Sequence, residues 1–460
     1  MQTDIHLPAA EIDLRELTPH VMVDFNQMKN FTADPLIMVS GSGVYLTDYQ
    51  GRRYIDGLSG VFAVSLGHGN DEIVDAVSAQ LKTLAFSSPI MTTNDRALDL
   101  AVELIELTGG RYSVFKQLSS GSEATEAAMK FARQYHRQSG NAERYKTVSF
   151  YRSYHGGTMG ALAATGWPKL RNPYEPLMHG AIHVPPPTPS SCRSCADQCS
   201  LACLDQLRDV FELEGPRTIS SLILEPVMLT AGVQMPSREY FTGVRELCDE
   251  YGVLLIFDEI VTGFGRIGSW FAAEQLDVWP DVLCLGKGLS SGYVPLSGVL
   301  ITPQVASAFW GEASQNVQFQ AGHTFSGNPV SAACGLAVID YFKRHDVLGN
   351  VATRGAELRS RLEALAERSP IVSGVRGRGL LWCLDLAPTD SPLGTALQRA
   401  ARDRGLLVRA SPNNTTVAPP LVITTQEVDE IATILEDSVD EVAEVIARDG
   451  TLTLDVAFGI

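Results

Sequence analysis

An α/β fold with a mostly parallel, doubly wound sheet is what this 460-residue sequence predicts, and three observations predict it. Five short apolar runs, near residues 116, 149, 222, 255 and 284, have the length and the Val, Leu and Ile content of buried strands. Helical patterns fall between most of them. Each run also ends on polar groups: Ser120 and Ser122, then Tyr154, Glu225, Asp258 and Lys287. Ligands of an open parallel sheet bind in the crevice outside the carboxyl ends of its strands, so one site is expected along that edge. The chain is longer than one typical core supports. A smaller α+β domain, built from both terminal segments, is expected beside the sheet. The expected division is 1–70 for an N-terminal arm and part of the small domain, 71–335 for the large domain, and 336–460 for the rest of the small one.

Composition narrows the class. Apolar residues make up 45% and charged residues 19%, which is ordinary for a globular enzyme. The net charge of −17 repels a polyanion, so no nucleic acid is expected as partner. Residues 1–24 show no basic start followed by an apolar core. No apolar run approaches the ~20 residues that cross a bilayer. The expectation is a cytoplasmic protein without a membrane partner, whose eight cysteines are mostly thiols or ligands.

Taken in order, the arm runs to about Pro35. Short strands follow over 38–45 and 53–55, joined by the turn at 48–51. The glycine-rich stretch 57–69 reads as a loop over the core, with helices over 71–84 and 94–107. The strand 114–118 leads through Ser119-Ser120-Gly121-Ser122-Glu123 into a helix of good formers. Free N–H groups and the helix dipole make such a turn an anion site, although N-capping by Ser120 or Ser122 explains it equally well. The strand 147–151 is followed by Tyr154-His155-Gly156-Gly157, an aromatic placed where it can stack on a flat ring. Cys192, Cys195, Cys199 and Cys203 are close enough to suggest zinc or iron–sulfur. Three of them repeat at i+4, so packing on one helix face is preferred and no metal is expected. The strand 220–224 ends in Glu225-Pro226, and 232–251 runs from a turn into a helix. Further on, Gly322-His323-Thr324-Phe325-Ser326-Gly327-Asn328-Pro329 precedes a helix over 330–341. Then come a helix over 351–366, strands within 372–385, a helix over 393–404, the apolar run 405–408 ending at Arg409, and a polar loop over 410–416. Thr424 and Glu427 form a capping box for a last helix whose apolar residues fall on one face. The apolar tail 451–460 has no evident role.

The stretch 253–298 carries the chemistry. One apolar run delivers Asp258 and the next delivers Lys287 to the same sheet edge. Pyridoxal phosphate (PLP) needs that pair: a lysine amine for its Schiff base, and a carboxylate that keeps the pyridine nitrogen protonated. A lone Gly-Lys-Gly would be an ordinary strand end. No GxGxxG follows a strand, and Gly288 stands where a Walker motif needs Ser or Thr.

Phe257-Asp258-Glu259, Gly263-Phe264-Gly265-Arg266 and Lys287-Gly288-Leu289 together resemble the class III (ω-amino acid) aminotransferases of PLP fold type I. The resemblance extends from about Val44 to Ala447. It implies that Lys287 binds PLP and moves the proton, with Asp258 on the ring nitrogen. It implies further that Ser120, Gly121 and Ser122 meet the phosphate and that Tyr154 covers the ring, with Val261 packing opposite it beside Ile260. From their places at strand ends His155 and Glu225 are candidates for the cofactor site, a structural histidine being at least as good a reading of His155. Phe62 becomes a pocket wall, and Arg409 the receptor for a keto acid carboxylate. Thr324 reaches the phosphate of the neighbouring subunit, which makes the expected assembly a homodimer with shared sites, a tetramer being the alternative. The substrates implied are an amine donor and a small keto acid acceptor such as pyruvate. A PLP-dependent aminomutase, epimerase or decarboxylase of the same fold is the alternative enzyme. A non-catalytic ligand-binding dimer is disfavoured because Lys287 and Asp258 are both present.

Overall fold

The computed structural model describes residues 13–188, 200–389 and 392–449. After short helices over Leu14–Leu17 and Met28–Ala33 comes an antiparallel meander of β1 (Met38–Ser42), β2 (Tyr45–Asp48) and β3 (Arg53–Asp56). The single strand expected over 38–45 is two strands. Gly43 turns the chain with a left-handed φ of 58°, and β1 folds back on β2 there.

The central sheet has seven strands among the described residues. They are β4 (Val114–Leu118), β5 (Lys146–Phe150), β6 (Ala181–Val184), β7 (Ile219–Leu224), β8 (Leu254–Asp258), β9 (Val282–Leu285) and β10 (Ser297–Ile301), in the order β4-β10-β9-β8-β7-β5-β6. All pairings from β9 across to β6 are parallel, whereas β10 is antiparallel to both of its neighbours. Because β10 is flanked in that way, β4 runs in the common direction. The carboxyl ends of β4, β5, β7, β8 and β9 therefore share one edge.

The sheet is covered on both faces, which is why its strands read as continuous apolar runs. Leu254, Ile256, Val282 and Cys284 pack with Ala124, Ala127, Ala128 and Phe131 of the helix Gly121–Gln138. The alternate residues Leu255, Phe257, Leu283 and Leu285 pack with Tyr240, Phe241, Val244 and Leu247 of the helix Arg238–Tyr251. The helices begin at good caps. Asn94 accepts from the N–H of Ala97, Ser120 from Glu123, Ser237 from Tyr240 and Asn328 from Ser331, each a stabilisation of about 1 kcal/mol.

The C-terminal segment forms a second antiparallel sheet from β11 (Val372–Arg378), β12 (Leu381–Leu386), β14 (Arg409–Ser411) and β15 (Asn414–Val417). The intervening β13 (Leu406–Leu407) pairs in parallel with β3, Leu406 opposite Ile55. Early and late segments are thus knitted together. The polar loop expected over 410–416 is the hairpin of β14 and β15. Thr415 and Thr416, on opposite faces of β15, are both buried, so the strand is covered without an apolar run. The expected capping box is present: the Thr424 N–H donates to Glu427 Oε2 (2.8 Å) and the Glu427 N–H to Thr424 Oγ1 (3.3 Å). No described helix is long and apolar enough to cross a membrane. Cys203 is buried in the helix Ala202–Glu214. Cys192, Cys195, Cys199 and the tail 451–460 lie outside the described residues.

Candidate active site

Asp258 closes β8, and Lys287 stands two residues beyond β9, the adjacent parallel strand. The Asp258 carboxylate is buried and already oriented. Its Oδ1 accepts the N–H of Ile260 at 3.1 Å, and its Oδ2 lies 2.8 Å from Nδ1 of the buried His155. His155 is held in turn by its own N–H, which donates to Thr165 Oγ1 (3.0 Å). The other ring nitrogen of His155, Nε2, is buried without a hydrogen-bond partner. Lys287 is half-buried, and its amine makes no hydrogen bond or ion pair among the described residues. Its φ of 42° is left-handed, a strained setting for a non-glycine residue that costs of order 1 kcal/mol. Burial lowers the pKa of the amine, while Asp258 and Glu225 pull it back up.

Glu225, just past β7, takes the N–H of Tyr154 on Oε1 (2.9 Å) and that of Leu229 on Oε2 (3.1 Å). This ties the loop after β5 to the loop after β7. Burial raises the Glu225 carboxyl to about 7. His155 opposes the rise and Asp258 adds to it. Tyr154 is half-buried, and burial lifts its phenol above the ordinary value. Arg409 opposes that shift, and Asp24 of the N-terminal arm reinforces it. Arg409, the first residue of β14, is half-buried. Burial lowers its guanidinium against the pull of Glu225 and Tyr154. It too makes no hydrogen bond or ion pair among the described residues. Lys287, Asp258, Glu225, His155, Tyr154 and Arg409 thus form one electrostatic cluster drawn from five chain segments.

At the end of β4, Ser120 caps the helix Gly121–Gln138, so the capping alternative holds for this residue. Ser122 does something else: its Oγ accepts the N–H of Gly157 at 3.0 Å, joining this turn to the Tyr154–Gly157 loop. Gly156 permits the approach, since a Cβ there would lie 2.5 Å from Ser122 Oγ and φ is 137°. The first N–H groups of the helix, on Gly121 and Ser122, have no intrahelical acceptor.

Val261 is half-exposed, whereas Ile260 is not available to a ligand. Its side chain packs in the core against Gly121 and Gly286. Phe62 is buried in an apolar cluster with Val227, Leu229 and Ala418, and Val261 packs against its edge. Thr324 stands apart from the cluster. It is exposed, in a segment whose His323 Nδ1 lies 3.9 Å from Glu123 Oε1. Glu259 and Arg266 were expected only as members of motifs, without a role of their own. Glu259 is fully buried and accepts from Thr262 Oγ1 (2.9 Å) and from the N–H groups of Ala272 (2.6 Å) and Ala273 (2.9 Å), stapling the loop after β8. Nor did the arm announce that the charge of Asp24 bears on Tyr154.

A family model for aminotransferase class III matches residues 28–439. An aminotransferase of Bacillus subtilis, the uncharacterised YhxA, is 36% identical over 420 residues, 88% of this chain and 92% of its own. Two solved structures superpose closely. The (S)-enantioselective omega-transaminase of Thermomicrobium roseum gives a TM-score of 0.89 at 35% identity, over 94% of this chain and 99% of that one. A PLP-bound amine transaminase from an uncultivated Pseudomonas species gives 0.84 at 35% identity, over 89% and 95%. The chain belongs to the class III aminotransferases. It is a PLP-dependent enzyme that moves an amino group between small molecules.

The residues present fit that cofactor. A helix start with free N–H groups suits a phosphate. An oriented buried carboxylate suits a pyridine nitrogen, an unbonded amine suits a carbonyl carbon, and half-buried Tyr154 and Val261 offer surfaces for a flat ring.

Proposed function

We propose that this transaminase takes its amino group from an amine or ω-amino acid and passes it to a small α-keto acid such as pyruvate. Arg409 carries this reading: a half-buried guanidinium without a bonded partner, within the same cluster as Lys287. Such a fork meets a carboxylate with two charge-assisted hydrogen bonds. The bound cofactor supplies a ring that withdraws electrons from the carbon beside the transferred nitrogen. The protein's residues do the rest. Asp258 holds the proton on the ring nitrogen, and His155 fixes the direction of that carboxylate. Lys287 Nζ, its affinity for protons reduced by burial, would take the proton from the donor carbon and deliver it to the cofactor carbon that bears the transferred nitrogen. Gly121 and Ser122 would hold the phosphate, and Tyr154 and Val261 would offer surfaces to the ring. The charge of Glu225 favours the protonated forms of both Arg409 and Lys287.

The same reading includes a homodimer in which Thr324 completes the phosphate site of the neighbouring subunit. Its support is the exposed apolar surface around that residue: Phe86 and Phe325 in edge-to-face contact, with Ile90 and Met91 each 89% exposed. The division at 70/71 and 335/336 belongs to it as well. So does a cytoplasmic location, in keeping with buried free thiols at Cys248, Cys284, Cys334 and Cys383.

Arg409→Ala tests the acceptor. The KM for pyruvate is expected to rise at least about tenfold, or about 1.4 kcal/mol. The half-reaction with a monoamine that has no carboxylate should be nearly untouched, and lysine should rescue only in part. An equal loss in both half-reactions would point to a cofactor or folding defect. Unchanged pyruvate kinetics would mean that another group reads the carboxylate.

A further inference from the structure

Among the described residues Arg266 is the largest side chain that is almost wholly buried, at 1% exposure; the charge of Asp56 acts on it, but no carboxylate is hydrogen-bonded to it. A guanidinium in that setting is costly unless its donors are satisfied. Its bonded partners are neutral and come from three distant parts of the chain, while its Nε is buried without a partner among the described residues. Nη1 donates to the carbonyl oxygens of Leu380 (3.1 Å) and Pro419 (2.6 Å), and Nη2 donates to Ser59 Oγ (3.0 Å). Ser59 Oγ donates onward to the carbonyl of Ala418 at 2.6 Å. The Leu380 N–H donates back to the Arg266 carbonyl (3.1 Å), so side chain and backbone interlock at the same turn. That turn cannot close on a larger residue: a Cβ on Gly379, whose φ is 58°, would lie 2.6 Å from the backbone of Ile267.

Each partner segment leads to the site. Ser59 is three residues before Phe62. Leu380 joins β11 to β12, and Pro419 follows β15, whose Thr416 is paired with Arg409. Arg266 itself lies in the loop that leaves Asp258. One guanidinium therefore ties the sheet that carries Arg409 to the strand end that carries Asp258. A purely stabilising contact between these segments would need no buried cation, because apolar packing of similar volume serves as well.

We propose that Arg266 is a positioning residue that sets where Arg409 stands relative to Lys287 and Asp258, and so determines how tightly a substrate carboxylate is read. The proposal rests on Arg409 being the carboxylate receptor. The test uses PLP-loaded enzyme and two substrates, pyruvate and 1-phenylethylamine, an amine with no carboxylate. Arg266→Lys keeps the charge but cannot span three acceptors. Its KM for pyruvate should rise about tenfold, while kcat and the amine half-reaction stay within about threefold of wild type. In an Arg409→Ala background the same change should add less than about twofold, because the two residues act through one contact. Should Arg266→Lys fail to fold, Ser59→Ala removes one acceptor and should show the same split at about threefold. Equal losses in both half-reactions, or an unchanged pyruvate KM in the folded variant, overturn the positioning role. If Arg409→Ala alone leaves pyruvate untouched, the carboxylate reading fails and the positioning role falls with it. A large effect of Arg409→Ala beside none from Arg266→Lys or Ser59→Ala sinks the positioning role alone.

Discussion

Asp258 needs no rearrangement to receive a protonated ring nitrogen. One oxygen rests on the Ile260 N–H and the other on His155, and the strand end supplies the direction. Preorganised groups of this kind act without a reorganisation cost during reaction. Asp258→Asn keeps the shape and removes the negative charge, so the variant should fold normally and lose at least about a hundredfold in kcat, roughly 2.7 kcal/mol. Steady-state turnover with matched circular dichroism spectra checks this, and near-normal turnover would contradict the role. The pairing of His155 with Asp258 was not legible beforehand. The two are 103 positions apart, and hydrogen bonds at that separation leave no local pattern. The same is true of Arg266, whose three acceptors are 114, 153 and 207 positions away. Lys287 and Asp258 were legible, because each stands directly after an apolar run and the strand-end rule needs only local sequence.

Among the elements, β8 and β9 could be read because burial on both faces makes them unbroken apolar runs. β6 holds only four residues and includes His183, while β10 begins Ser-Gly; neither gives such a run. The hairpin β14–β15 was read as a loop because the buried residues Thr415 and Thr416 are polar. The helix Gly121–Gln138 supplies a test of packing. Near its C-terminus the buried His136 bonds through Nε2 to the carbonyl of Ser220 on β7. Burial depresses its pKa to about 4. The unfolded value is about 6.5. Between the two, the unfolded chain binds a proton that the folded site refuses. This contribution to stability is therefore complete above about pH 6.5 and is lost as pH falls towards 4. Glu225 and Glu259, raised to about 7 mainly by burial, act in the opposite sense from about pH 4.5 upward. Comparing wild type with His136→Phe cancels their effect. The variant should be less stable at pH 7.5, for want of a donor to Ser220, and its denaturation midpoint should fall less steeply below pH 6.5. An identical acid limb would show that His136 does not titrate as its burial requires.

For the whole molecule, the cluster of cations and carboxylates is assembled within one chain, but Thr324 is left exposed outside it. If sites are shared, an inactive Lys287→Ala subunit and a phosphate-deficient Thr324→Ala subunit should complement in a mixed dimer, since one of its two sites then holds both native residues. Homodimers of either variant should be much weaker than the mixture, and a mixture with no recovered activity would argue against shared sites. The central claim is that this fold brings one particular lysine, among all those in the chain, to the cofactor. Borohydride reduction of the loaded enzyme followed by peptide mapping tests it most directly. The cofactor label should be fixed on the peptide containing Lys287, and Lys287→Ala should still bind PLP but retain no label. A label on any other lysine would contradict it.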